Sequence, residues 1–167
     1  LGDIVNSTPV ISAPRDDYGY RALTGFPGAT ALATSYGTYL SSKRSGRNVM
    51  VYAGANDGML HGFDGGMGDD GVMNSITGGT ERFGFIPQSV LGYMGNLLFP
   101  YSEADGGDQK FQHRYFVDGP ITVSDAHYGG DWATVLVGTT GAGGRSVFAL
   151  DVSDASSRVN PTFSNND

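Results

Sequence analysis

The sequence predicts an all-β protein, and more narrowly part of a β-propeller with short helical insertions. Three observations point there. The 167 residues include 27 glycines, far above the usual roughly 7 %, and helix interiors disfavour glycine. Short strand-like runs recur at regular spacing, separated by Asp-Gly, Gly-Gly and Gly-rich turns. Finally, "VMVYAG–ANDG–MLHGFD" and "ATVLVG–TTGAGGR–SVFALD" share one grammar: apolar strand, glycine, turn, apolar strand, aromatic, Asp. Gly54 matches Gly138 and Asp64 matches Asp151. The copies lie about two blades of ~40–45 residues apart. A propeller reuses such a unit because neighbouring blades cover each other's faces. At that size residues 1–167 are a fragment of one propeller domain, with about three to four blades.

The elements follow in order. "DIVNSTPVI" (Asp3 to Ile11) reads as a strand with Pro9 near its end, and Ser12 to Phe26 as a loop rich in turn formers. In "GATALATSYGTYLSSKRSG" the residues Ala29, Leu32, Ala33, Tyr36, Tyr39 and Leu40 recur at helical spacing. Thr30 is the candidate N-cap, Lys43 and Arg44 sit in the last turn and Gly46 is the stop. This helix interrupts a β pattern and reads as an insertion. "NVMVYAGA" and "MLHGFD" form a hairpin around Asp57-Gly58. Gly65 to Ile76 is a patternless loop and "ERFGFIP" a further strand. Pro87 opens a short helix with Val90, Leu91, Met94, Leu97 and Leu98 on its apolar face. "HRYFVDG", "PITVSDAHY", "DWATVLVGT" and "SVFALDVS" complete the series as four strand-like runs.

Composition excludes several functions. The net charge is −7, and the densest basic group, "KRSGR" at Lys43 to Arg47, makes no basic face for nucleic acid. There is no cysteine, so disulfides and thiolate metal sites are absent from this stretch. No apolar run approaches the roughly 20 residues of a membrane helix. Beginning at Leu1 without a Met and ending in "SNND", the chain reads as a piece of a longer protein. As an open propeller, the piece is expected to associate or to be marginally stable alone.

No arrangement nominates a catalytic nucleophile, and no G-x-S-x-G elbow is present. Asn56-Asp57-Gly58 reads as a structural turn, because Asp-Gly is a strong hairpin dipeptide; the other reading is a carboxylate presented at a blade edge for binding. "DGGMGDDG" holds Asp64, Asp69 and Asp70, oxygen ligands of the kind calcium takes, without EF-hand spacing. "EADGGD" (Glu103 to Asp108) is similar. His61, His113 and His127 read as ordinary strand or rim histidines, since zinc needs three or four converging ligands. "TTGAGGR" (Thr139 to Arg145) lacks the Gly-Lys-Ser/Thr of a phosphate loop and precedes a strand. Trp132 reads as packing. Function is expected on the long insertions Ser12 to Arg47, Gly65 to Ile76 and Gly92 to Gln109, since long loops carry function more often than scaffold does.

Five segments in register, "LGDIVNSTPV", "VYAGANDGMLHGFD", "ERFGFIPQSV", "HRYFVDGPITVSDA" and "DWATVLVGTTGAGGRSVFALDVSD", resemble the carboxy-terminal propeller of the PilY/PilC family. The hairpin is also similar to the wider quinoprotein-like propeller repeat, G-x-x-D-G-x-L-x-A-F-D followed by T-G-x-x-x-W. Here Thr77-Gly78 leads to Phe83 where that repeat has a Trp docking between blades. The second copy lacks such a sequel.

The resemblance implies a non-enzymatic role in type IV pilus biogenesis, retraction control, twitching motility and adhesion. It places the protein at the cell surface or pilus tip, outer membrane or periplasm of a Gram-negative bacterium. The partners it implies are minor pilins or other pilus components and a host or abiotic surface, with no nucleic acid and no small-molecule substrate. The family propeller can carry a calcium loop with Asp or Asn at alternating positions. No D-x-D-x-[DN] run occurs here, so no cofactor is expected in this fragment, and any calcium loop of the parent protein would lie past Asp167. The rival readings are a quinone-dependent dehydrogenase and an outer-membrane assembly scaffold.

Overall fold

A computed structural model describes residues 2–73, 77–98 and 113–155. Two antiparallel sheets carry the fold. The first has four strands in the order β1 (Val10–Ser12), β2 (Met50–Gly54), β3 (Leu60–Asp64) and β4 (Glu81–Phe85). The second has three, β5 (Ile121–Tyr128), β6 (Asp131–Thr139) and β7 (Val147–Asp151). Each sheet is an antiparallel meander of strands in sequence order, joined by short turns at β2–β3 and β5–β6 and by longer insertions between β1 and β2 and between β3 and β4. The described residues thus hold two blade-like sheets. The remaining described residues go into the helix α1 (Ala29–Gly46), shorter helical turns and loops.

The two matching hairpins are β2–β3 and β6–β7. Gly54 faces Leu60, the first residue of β3, whereas Gly138 faces Phe148 and Thr139 takes the position opposite Val147. The registers therefore differ by one residue although the sequences align. In both sheets a glycine lets a ring lie across the strand. A Cβ on Gly62 would meet the Phe83 ring at 2.5 Å, and one on Gly138 would collide with the Phe148 ring. Phe83 and Phe148 both pack on the common core, as does Phe85, which lies 5.3 Å from Phe148.

That core forms between the sheets. Met50, Tyr52 and Leu60 of the first meet Ile121, Val123 and Leu136 of the second, with Val117 and Val152 closing the cluster. Alternation along β5 puts Ile121, Val123 and Asp125 on the buried side. Phe83 accordingly sits where the sequence placed a blade-docking aromatic.

Several expectations need correction. The first strand is only Val10–Ser12, because the preceding backbone bonds to side chains and a turn instead of a ladder. Gly2 N–H donates to Asp57, Asn6 N–H to Asp118 at 3.0 Å, and the Asp3 carbonyl accepts Asn56 N–H. "HRYFVDG" is not a strand. Phe116 N–H donates to Asn56 Oδ1, Val117 N–H to the Ala55 carbonyl, and Asp118 N–H to the Thr140 carbonyl, so this segment ties the turns of the two sheets together. Thr30 does not cap α1. The N-cap is Gly28, with φ +86°, and no side chain caps it. The helix after Pro87 is only α2 (Gln88–Leu91), followed by a 3-10 turn at Met94–Leu98. Val90 is its one buried predicted residue, while Leu91, Leu97 and Leu98 are exposed.

Candidate functional site

The long insertion between β1 and β2 does not stay with its own sheet. Tyr36, Leu40 and Lys43 of α1 are buried, at the i, i+4, i+7 spacing that puts them on one helix face. That face lies on β5 and β6 of the second sheet. Lys43 Nζ donates to both oxygens of Asp125 at 2.9 Å and to the Asp16 carbonyl at 3.2 Å. Tyr36 OH donates to Asp125 at 2.8 Å, and so does Thr134 Oγ1 at 2.9 Å. The two charged side chains are 2 % and 0 % exposed. Such a pair is tolerated only where hydrogen bonds satisfy the remaining lone pairs and protons, and here hydroxyls and a carbonyl do so. Burial, with the Asp125 hydrogen bond adding to it, pushes the Tyr36 phenol well up from its ordinary range.

Rings surround this network. Trp132 lies 4.5 Å from Tyr36, 5.2 Å from Tyr20 and 6.3 Å from Tyr39, and its indole N–H donates to Ser35 Oγ at 2.9 Å. Arg47, just past the helix, stacks on Tyr39 at 5.2 Å and donates to Tyr39 OH and Thr134 Oγ1 at 3.0 and 2.8 Å. Between this helix end and the β5–β6 turn opens a cleft of about 480 Å³. Its far wall carries Tyr128, Asp131, Asp151 and Asp154. The Gly129-Gly130 turn, with φ +62° and +98°, suits a two-residue hairpin that needs positive φ at both positions. Tyr128 OH donates to Asp151 at 2.7 Å, and that bond pushes its phenol up to about 12.

The turn residues singled out from sequence do more than turn. The loop spans five residues, with φ +95° at Gly58. Asn56 is buried and accepts from the 116 backbone, while Asp57 accepts Gly2 and Met59 N–H and faces His61 Nε2 at 3.1 Å. Burial works against the Asp57 charge, yet the Gly2 N–H and His61 bonds outweigh it and hold the carboxyl below its ordinary value. His61 is buried with Glu81 on its other nitrogen at 2.6 Å, His113 faces Asp3, and His127 lies edge-on to Trp132.

The loop carboxylates go separate ways. Asp64 is buried and accepts from Arg82, Asn48 Nδ2 at 2.9 Å and Gly66 N–H at 2.7 Å. Asp69 pairs with Arg15 at 3.0 Å, and Asp70 accepts Val72 N–H at 3.1 Å. Among the described residues no three His, Asp or Glu side chains converge to hold a metal. The acidic run Glu103 to Asp108, and residues 99–109 of the third predicted working surface, lie outside the described residues, as do residues 74–76 of the second.

Lys43 and Asp125 were not singled out from sequence. The signal was there. Asp125 continues the inward alternation of Ile121 and Val123, so it needed a buried partner, and Lys43 shares the helix face of Tyr36 and Leu40.

A family model described as the PilY1 beta-propeller domain matches residues 1–163. The chain belongs to this PilY1 β-propeller family. A PilY1 homologue of Xylella fastidiosa (strain Temecula1), named a type IV pilus biogenesis factor, is 41% identical over 157 residues, covering 93% of this chain and 9% of the relative. The type IV pilus biogenesis factor PilY1 of Pseudomonas aeruginosa (strain UCBPP-PA14) is 42% identical over 152 residues, 91% of this chain and 11% of the relative. The chain therefore spans about a tenth of the length of these curated relatives. The crystal structure of the Pseudomonas aeruginosa PilY1 C-terminal domain is 40% identical, covers 72% of this chain and 18% of that one, and aligns with a TM-score of 0.47. Family membership bears out the all-β, part-propeller reading of the sequence. Among the described residues no helix is long and apolar enough to cross a membrane.

Proposed function

We propose that this chain is a propeller segment of a type IV pilus biogenesis protein, acting through protein–protein contacts and not through catalysis. The observation that carries the reading is the 41–42% identity over more than nine-tenths of the chain to proteins named as type IV pilus biogenesis factors. The geometry suits it. The sheets spend their side chains on a shared core, and the surface that stands apart is α1 with the adjoining cleft, held in one orientation by the Lys43–Asp125 network. A docked helix presents a preorganised face, and preorganisation lowers the entropy cost of binding. Its partners are pilus components, with minor pilins the first to test, and it works at the cell surface or pilus tip of a Gram-negative bacterium. Any calcium dependence belongs to other parts of the parent protein.

The test is calorimetric titration of the complete parent protein with purified minor pilins, in chelated buffer and with calcium, alongside a parent in which Lys43→Met undocks α1. Binding that weakens in the variant supports the reading. Absence of binding in both buffers overturns minor pilins as partners, and pili that assemble and retract normally in a deletion strain overturn the biogenesis role.

A further inference from the structure

We propose that the bond between Asp70 and Gly71 is a site of spontaneous backbone modification, at which the aspartate converts to isoaspartate in the folded protein. The Gly71 amide nitrogen attacks the carbon of the Asp70 side-chain carboxyl in its acid form. A C–N bond forms, a C–O bond breaks, and the carboxyl hydroxyl leaves as water with the amide proton. The product is a five-membered succinimide. Water then opens that ring at either carbonyl. One opening restores aspartate, and the other routes the main chain through the side-chain carbon. Neither step needs an oxidant, a reductant or a cofactor. Glycine favours ring closure because no Cβ shields its nitrogen or restricts its backbone.

Among the described residues Asp-Gly pairs occur at Asp57, Asp64, Asp70 and Asp118, and the fold treats them unequally. The Asp105-Gly106 pair lies outside the described residues. Asp57, Asp64 and Asp70 each accept the N–H two residues on. Each carboxyl thus folds back over the glycine nitrogen, and proximity does not separate them. Backbone freedom does, since ring closure needs rotation around the aspartate and release of the glycine N–H. Asp64 is buried, its N–H and carbonyl are bonded to Thr80 and Gly79, and Gly65 N–H donates to the Val49 carbonyl at 2.7 Å. Asp118 is buried on Asn6, while Asp118 and Gly119 N–H donate to the Thr140 and Thr139 carbonyls. Asp57 sits in a turn closed by Ala55 N–H on the Met59 carbonyl, with Gly2 N–H and His61 on its carboxylate. Asp70 is the exposed member of the set, in a turn between the bridged residues Met67 and Met73. Gly71, with φ +72°, donates at 3.2 Å to the Gly68 carbonyl of that same loop, and its surroundings are open. Local opening costs least in such a loop. Conversion adds a backbone methylene beside Asp69, the partner of Arg15, so it reshapes this predicted working surface and leaves its charge unchanged.

The experiment ages the complete parent protein at neutral pH, once folded and once in denaturing urea. Electron-transfer fragmentation of its peptides then reads isoaspartate at each of these Asp-Gly pairs. In the folded protein Asp70 should convert at least about tenfold faster than Asp57, Asp64 or Asp118, because those must first open locally. In urea all of them should convert at comparable rates. Asp70→Glu keeps the charge but enlarges the ring that would have to close, and it should abolish isomerisation at this position. An unconverted Asp70 in the folded protein, or conversion at Asp57, Asp64 or Asp118 that keeps pace with it, overturns the proposal. So does a lead for Asp70 that persists undiminished in urea, which would assign the selectivity to local sequence and not to the fold. Isomerisation at position 70 of the D70E variant overturns the assignment of the reacting carboxyl. No pilus component enters this test, so its failure leaves the biogenesis reading standing.

Discussion

Replacing Lys43 with Met removes a charge and keeps most of the side-chain volume, which makes it a sharp probe of how α1 is held. Asp125 would keep its Tyr36 and Thr134 hydroxyl donors but lose the ammonium that reaches both of its oxygens at 2.9 Å. With side-chain exposures of 2 % and 0 %, solvent cannot replace that partner. Breaking a buried pair from one side costs about 3–5 kcal/mol, and the surviving hydroxyl donors argue for the lower end, about 3 kcal/mol. At a urea slope near ~2 kcal/mol/M for a chain of this size, the midpoint should fall by about 1.5 M. The assay is urea unfolding followed by Trp132 emission, because that ring packs on Tyr36 of α1. The double variant K43M/D125N removes both charges and should recover part of the loss. A K43M midpoint equal to wild type, or a double variant no better than K43M, would refute the view that this pair docks the helix.

Other outcomes follow from the same geometry. Burial opposes the charge of Asp64, but Arg82, the Gly66 N–H and Asn48 hold its carboxyl below the ordinary 3.8. A depressed folded value gives stability that is present above the unfolded value and lost as pH falls through the folded one. Melting temperature should therefore drop as pH falls below about 4, and D64N should flatten that part of the profile. G138V drives a branched side chain into the Phe148 ring and should cost about 1–3 kcal/mol in denaturant melts. D69N breaks only the exposed pair with Arg15 and should shift stability by less than about 0.5 kcal/mol. Asn56→Ala removes the acceptor of Phe116 N–H. It should destabilise by about 1–2 kcal/mol, because the freed donor is buried, and amide hydrogen exchange at Phe116 should quicken.

Much of the scaffold was legible because local patterns set it. Strand periodicity, positive-φ turn glycines and the 3.6-residue repeat act within a few residues, so β2, β3, β5–β7 and α1 emerge close to their predicted bounds. "HRYFVDG" misled for the opposite reason. Its apolar residues do enter the core, but its backbone bonds go to turns far away in sequence. The site was less legible still. Lys43 reads as a solvated last-turn cation, the commonest fate for such a residue, until a carboxylate nearly half the chain away is folded against it.

What the sequence by itself determined was the repeated strand–turn–strand unit and the family to which it points. Both depend on residue order and on contacts within one hairpin. Only the tertiary structure decided that an insertion from one sheet clasps the next, and that matching aspartates part company. Asp64 is buried on Arg82, whereas Asp151 lies exposed and holds Tyr128. Equivalent positions in a repeat share backbone geometry but not neighbours, and for a charged side chain it is the neighbours that set burial, pairing and role.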